Sequence, residues 1–160
     1  MPRMATSLLT VLGVGVALFA VLGWWSARAA PAASGVRDGR LAPCDAAPHC
    51  VCSEGDGSDA SHWVAPISLP DVDGETRWRV IREMVAASGG HVQREDQHYL
   101  HAIYTSRLFR FVDDVELRMD GAHLQVRSSS RVGYSDLGAN ATRVADLRAR
   151  LMVAFAGLKS

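Results

Sequence analysis

The side chains best suited to catalysis or ligand binding lie between positions 113 and 140, where acids, arginines and hydroxyl groups are concentrated. Two kinds of chemistry are open to them: acid/base hydrolysis by a pair of carboxylates, or binding of an anion by arginine. The candidates, for a binding site or for a network of mutual contacts, are Asp113, Asp114, Glu116, Arg127, Ser128, Arg131, Tyr134, Ser135, Asp136 and Asn140.

Catalysis is the weaker of the two interpretations. The stretch GYSDLG at 133–138 carries Leu137 where a nucleophile elbow needs a second glycine, and no histidine lies in the block to act as a base. Asp113 falls on an otherwise apolar strand face, where it needs a hydroxyl or an arginine as partner. Asp114 and Glu116 share the opposite face, about 7 Å apart, and form the alternative, a hydrolase. No catalytic residue and no cofactor are predicted.

Anion binding is the better supported function. Arg127 and Arg131 share a strand face if the strand continues, and guanidinium forks bind phosphate or carboxylate at two points. The acids of the same block could equally pair both arginines internally. The sequence therefore leaves two interpretations open: a surface around Arg127, Arg131 and Tyr134 for an anionic ligand or an envelope protein, or a salt-bridge network.

Regular elements flank this block on both sides. A helix over 74–90, capped by Asp71 or Asp73, precedes four strands at 91–94, 98–106, 111–119 and 122–128. Asn140 is predicted to cap a last helix over 141–158. This order predicts an α+β fold, an antiparallel sheet of about four strands with two helices packed on one face, preceded by a transmembrane helix.

The third and fourth strands form a predicted hairpin around Asp120-Gly121. A two-residue loop there pairs Met119 with Ala122 and places Asp114 opposite Arg127. One face of the hairpin is then apolar and the other carries a ladder of charged side chains. The apolar face is expected to contact the helices.

Three cysteines lie close together in the stretch PCDAAPHCVC. A disulfide between Cys44 and Cys50, with Cys52 as a free thiol, is the favoured interpretation, because such a bond stabilises a segment that has few apolar residues to bury. Metal binding with His49 is disfavoured, since the spacing lacks the usual separated pairs of zinc ligands. A lipoprotein attachment at Cys44 is also disfavoured, and no metal site is predicted.

The amino-terminal stretch, residues 5–25, is uncharged and ends in two tryptophans. At 1.5 Å per residue it is long enough to cross a hydrocarbon core of about 30 Å. We therefore assign residues 1–25 to a membrane anchor, with a cleaved signal peptide as the alternative, residues 26–43 to a flexible tether, and residues 44–160 to the α+β domain. The membrane is thus an expected partner through residues 5–25.

Charge and cysteine usage bound the location. Residues 44–160 carry thirteen basic and sixteen acidic side chains, a balance that excludes a basic nucleic-acid-binding surface. Arginines on both sides of the apolar stretch mildly favour a cytoplasmic domain, whereas a disulfide favours an oxidising compartment. We expect a single-pass protein of the inner membrane with its domain facing the periplasm.

The chain resembles the uncharacterised family known as domain of unknown function 1499. The resemblance rests on APCDAAPHCVCS at 42–53, FRFVDDVELRM at 109–119 and VRSSSRVGYSDLGANATRV at 126–144, and it spans roughly residues 42–152. The sequence departs from the family at Cys52, where serine is usual, and at Ala141, which is often basic. The resemblance implies an amino-terminal membrane or lipoprotein signal, but no reaction, because the activity of the family is not established.

Overall fold

The structure is a computed structural model that describes residues 2–31, 34–55 and 57–158. These residues form three helices and eight strands. In chain order the elements are α1 (Pro2–Ser26), β1 (Val36–Arg37), β2 (Arg40–Leu41), β3 (Cys50–Cys52), β4 (Ile67–Ser68), α2 (Gly74–Ala87), β5 (His91–Glu95), β6 (Tyr99–Thr105), β7 (Val112–Asp120), β8 (His123–Ser130) and α3 (Ala139–Gly157).

The main sheet is antiparallel and follows the order β3-β8-β7-β6-β5, while β4 pairs separately with β8. The prediction of an α+β fold is confirmed, but the sheet has six strands within the described ranges rather than about four. Strands β3 and β4 were missed because two- and three-residue strands beside loops show no alternation of polar and apolar residues. Both pair with β8, and β3 also forms an isolated bridge between Cys52 and Trp63.

Helices α2 and α3 cover one face of this sheet. Ile81 and Val85 of α2 and Leu147 and Leu151 of α3 are buried in the same core cluster as Leu117 of β7. Asp73 caps α2 by accepting a hydrogen bond from the backbone N–H of Thr76 at 2.8 Å. The predicted packing of two helices on one face is therefore confirmed.

The β7–β8 hairpin differs from its predicted register by two residues. Asp120 pairs with His123, so the loop is Gly121-Ala122, and Arg127 lies opposite Glu116 rather than Asp114. A shift of two residues leaves every side chain on its predicted face, because side chains alternate with a period of two. Gly121 has a φ of 58°, so the glycine is inside the turn, as its conformational freedom favours.

The start of α3 also differs from its prediction. Asn140 lies inside the first turn and is fully buried, while Gly138, at the N-cap, makes no side-chain capping bond. Asp136 supplies the missing acceptor, with its carboxylate 2.9 Å from the N–H of Gly138 and 2.8 Å from that of Asn140. The prediction of Asn140 as the cap is wrong because its amide is used in the interior.

The predicted anchor at residues 5–25 is helical, as part of α1. The prediction that it crosses a membrane is not confirmed: no helix within the described ranges is long and apolar enough to span one. The segment 26–43 was expected to be a flexible tether. Where it is described, it contains the β1–β2 hairpin, and Leu41 and Ala42 are buried.

Candidate functional site

The predicted polar face of the hairpin is an interior surface. Asp114, Glu116 and Arg127 point away from the helices, yet their exposed fractions are only 2%, 0% and 2%. Contacts from the segment that follows α1 account for part of this burial, because Gly35 donates its N–H to Glu116 and Ala29 accepts from Arg131. The charge ladder expected on the surface is therefore a buried network.

Glu116 is the centre of that network. One carboxylate oxygen lies 3.0 Å from a guanidinium nitrogen of Arg127, and the other accepts from the hydroxyl of Tyr99 at 2.6 Å and from the N–H of Gly35. Burial, and then the hydrogen bond to Glu116, raise the pKa of Tyr99 well above its usual value. The phenol of Tyr99 is thus held as a neutral donor to Glu116.

Asp114 forms the second buried ion pair. Both of its oxygens accept from Arg131 at 2.8 Å, and His101 lies 2.7 Å from one of them. Burial by itself raises the pKa of Asp114, but the hydrogen bonds from Arg131 and His101 outweigh it, so the net pKa is lowered. The same bond raises the pKa of Arg131. This two-point pairing occupies the guanidinium edge that an anion would use.

A separate cluster lies on the helix side of the sheet. Asp113 pairs with Arg143 at 2.6 Å, which confirms that it needed an arginine, and Arg143 also donates to the side-chain oxygen of Asn140 at 2.6 Å. That oxygen accepts from Ser128 as well. The amide nitrogen of Asn140 donates to the backbone oxygen of His49 at 2.9 Å. This cluster ties α3 to β7, β8 and the disulfide segment.

The ten sequence-predicted residues therefore do not form one site. Asp114, Glu116, Arg127 and Arg131 lie on one face of the sheet; Asp113, Ser128 and Asn140 lie with Arg143 on the other face. The loop residues are separate again: Tyr134 is 79% exposed, while Ser135 and Asp136 hydrogen bond to nearby backbone N–H groups.

Four residues of the buried polar networks were not predicted from the sequence. Tyr99 and His101 lie on β6, on the same face as Asp114, and their alternate positions were the available signal. Arg143 gave no signal, because α3 is positioned only by packing. Glu54 follows β3 and pairs with Arg118, a contact across 64 residues that no local pattern indicates.

The predicted disulfide between Cys44 and Cys50 is present, with Cα atoms 5.6 Å apart. Cys52 is free and buried; burial raises the pKa of its thiol, and the thiol donates weakly to the backbone oxygen of Ala42. No group of three or more potential ligands that could hold a metal ion occurs in the described part of the chain. The disulfide loop closes one side of a cleft.

That cleft has a volume of about 830 Å³ and is open to solvent. Arginines from the β1–β2 hairpin line one part of it, and the half-exposed ring of Trp63 lines another. His62 lies 2.7 Å from Asp59, and the hydrogen bond between them raises the pKa of the imidazole. The charged and aromatic residues that line the cleft are Arg37, Asp38, Arg40, Asp45, Glu54, Asp59, His62 and Trp63.

Comparison with known proteins gives a family but no activity. No curated protein matches the chain. The sequence profile of the family described as "protein of unknown function (DUF1499)" matches residues 40–151, which include every strand of the main sheet, all of α2 and most of α3. The chain therefore belongs to this family, as its three sequence blocks indicated.

Proposed function

We propose that this protein is a non-enzymatic binding domain of the cell envelope, and that an anionic ligand occupies the cleft beside the disulfide loop. The observation that carries the proposal is the distribution of arginines. Arg127 and Arg131 neutralise buried carboxylates, whereas Arg37 and Arg40 line the cleft and form no ion pair with any described residue. Arg40 also donates to the backbone oxygen of Glu54 at 3.0 Å. Guanidinium groups without an acidic partner at a concave surface favour phosphate or carboxylate ligands.

Trp63 adds an apolar contact surface to this proposed site. Its ring is 39% exposed and supplies an apolar surface within a cleft that also carries charge. An aromatic ring beside two arginines suits a small anion that has an apolar or ring portion. Uronic acids and sugar phosphates have this character, because each joins a sugar ring to an anionic group.

The surface around Arg127, Arg131 and Tyr134, the site expected from sequence, receives less support. An anion there must displace Asp114 from its two-point bond to Arg131. The hydrolase alternative has the same difficulty. Asp114 and Glu116 are buried and already bonded to arginine, so neither carboxylate is offered to a substrate or to water.

The binding proposal is tested by calorimetric titration of the purified full chain with glucuronate, glycerol 3-phosphate and inorganic phosphate. We expect Arg37→Gln to weaken binding by about 1.5 to 3 kcal/mol, tenfold or more, through loss of a charge-assisted hydrogen bond. The side chain of Arg37 forms no hydrogen bond or ion pair with another described residue, and the pairing of Arg37 with Arg40 is between backbones, so the fold should persist.

The matched control is Arg79→Gln, which removes the same charge from the exposed face of α2. It should leave binding unchanged. Binding that persists in Arg37→Gln and Trp63→Ala but is lost in Arg131→Gln would show that the ligand binds at the surface around Arg131 and Tyr134 instead of in the cleft. Failure of all three probes to bind contradicts the proposal.

The location that we propose is the periplasmic side of the inner membrane, with α1 as the attachment. The disulfide supports an oxidising compartment. Ten large apolar side chains of α1 are between 46% and 72% exposed, and their removal from water would be strongly favourable. These residues are Leu8, Val11, Leu12, Val14, Val16, Leu18, Phe19, Val21, Trp24 and Trp25.

A further inference from the structure

The carboxyl-terminal part of α1 is fastened to the loop between β6 and β7. The ring of Phe19 lies 4.8 Å from that of Phe109, centroid to centroid. Gly23 lies so close to the loop that a Cβ there would come within 1.6 Å of the carbonyl oxygen of Phe109. The buried hydroxyl of Ser26 accepts from the N–H of Val112 at 2.9 Å. The orientation of α1 is thus coupled to this loop.

The loop itself is closed at its base and exposed at its tip. Ser106 bonds to Phe111 twice, through its N–H at 2.8 Å and its hydroxyl at 2.9 Å. Between them Arg110 adopts a left-handed φ of 61°. Leu108 is 78% exposed at the tip of the loop, and Arg107 is exposed beside it.

The height of the loop along α1 is set by its contact with Phe19. The exposed apolar side chains of residues 8–18 precede this point, and Trp24 follows it by five residues, about 7.5 Å along a helix. Tryptophan rings favour the headgroup level of a bilayer. A bilayer that takes up residues 8–18 therefore meets Leu108 near the boundary between hydrocarbon and headgroups.

Three arginines lie around this point. Arg28 lies over the face of Trp24 at 3.9 Å, and Arg107 and Arg110 flank Leu108. None of these three arginines forms an ion pair with a residue that the structure describes. The complementary surface is anionic, and the apolar side chain among the arginines suits the interface of a lipid bilayer.

We propose that residues 107–110 and α1 form one membrane-docking surface whose occupant is a bilayer containing anionic phospholipid. Leu108 enters the edge of the hydrocarbon layer, and Arg107 and Arg110 bind lipid phosphates. This inference rests on the proposed attachment of α1 to a membrane and adds to it that the folded domain itself touches the lipid. The contact fixes the height and tilt of the domain above the bilayer.

The test uses the full chain with Leu108→Cys labelled by an environment-sensitive fluorophore, mixed with phosphatidylcholine vesicles with or without phosphatidylglycerol. We expect a blue-shifted emission that is quenched by nitroxides attached near the lipid headgroups. A second label at Val153→Cys is the control. Val153 is exposed on α3. Arg143 holds the start of α3 against Asp113, next to the loop, and Val153 lies ten residues, about 15 Å, farther along the helix. A label at position 153 should therefore remain unquenched.

Flotation of the same samples separates the two proposals. A chain that floats with vesicles but shows no quenching at position 108 overturns the docking surface while leaving membrane attachment in place. A chain that does not float overturns the attachment, and the docking surface with it. Equal quenching at positions 108 and 153 also contradicts the inference, because it indicates adsorption without orientation.

The arginines are tested by Arg107→Gln combined with Arg110→Gln. On vesicles with phosphatidylglycerol, the ratio of inserted to free label should fall about fivefold for each arginine replaced. The control is Arg79→Gln with Arg82→Gln on α2, an equal charge change that should leave the ratio unaltered. An unchanged ratio in the Arg107 and Arg110 double variant refutes the role of anionic lipid.

Discussion

At the scale of residues, the buried ion pairs stabilise the arrangement of the sheet and its covering segment instead of performing chemistry. Glu116 is fully buried and receives three donors, from Arg127, Tyr99 and Gly35. Taking such charges out of water costs several kcal/mol each, and full pairing is what offsets that cost. Removal of one charged partner should therefore lower the free energy of unfolding strongly, whereas removal of both charges should lower it much less.

We predict that Glu116→Gln lowers the free energy of unfolding by about 3 to 5 kcal/mol, because it removes the carboxylate that lies 3.0 Å from the buried guanidinium of Arg127. Urea denaturation monitored by circular dichroism measures this. The double variant Glu116→Gln with Arg127→Met should recover most of the loss, since it buries no charge there and the amide oxygen at position 116 still accepts from Tyr99 and Gly35.

The control for that prediction is an exposed pair of the same kind. Glu83 and Arg79 lie 3.0 Å apart on the surface of α2, both about half exposed. Glu83→Gln should cost no more than about 0.5 kcal/mol. A similar small effect for Glu116→Gln would show that the buried pair is hydrated and that its site is more open than its burial indicates.

At the scale of elements, short strands and loops extend the edge of the main sheet and cover its polar face. Strand β3 joins the edge of the sheet through β8, and the disulfide closes the loop that leads into it. The segment around β1 and β2 lies over the polar face through contacts such as that of Gly35 with Glu116. These elements have little apolar area of their own, so covalent and polar contacts hold them.

The disulfide should contribute measurably to this edge. Replacing Cys44 and Cys50 together by serine is predicted to lower the free energy of unfolding by about 2 kcal/mol, because the unfolded chain regains the entropy of a seven-residue loop. Urea denaturation of both proteins measures the difference. A reductant should destabilise the native sequence by a similar amount and leave the double variant unaffected; equal sensitivity of both would contradict the prediction.

At the scale of the whole molecule, an exposed apolar helix is joined to a domain whose charged face is buried. The proposed location follows from these two features together. We predict that a periplasm-active phosphatase fused after Ser160 is active, whereas a fluorescent protein that matures only in the cytoplasm is dark. Activity of the two reporters in intact cells measures the location.

A fusion that lacks residues 5–25 is the control for this experiment. It should reverse both signals, because the segment that directs export is gone. Fluorescence without phosphatase activity from the full chain would place the domain in the cytoplasm and overturn the proposed orientation.

Much of the fold follows from local pattern. The alternation of apolar residues in β7 and β8 predicts both faces of the hairpin, and the stripes in α2 and α3 predict the core, because each period depends only on neighbours in the chain. The turn at Asp120-Gly121 was located to within one residue. Its register was not, since hydrogen bonding along the whole hairpin decides which residues of a turn remain paired.

The sequence by itself determined which residues are charged together, which strand faces they occupy, and that Cys44 and Cys50 lie close enough to bond. Only the tertiary structure decided that the polar face is buried, that Arg131 bonds to Asp114, and that Arg143 reaches Asp113. The physical reason is distance along the chain. Burial of that face depends on contacts from Ala29 and Gly35, and Arg143 lies 30 residues from Asp113, so no periodicity can indicate these contacts.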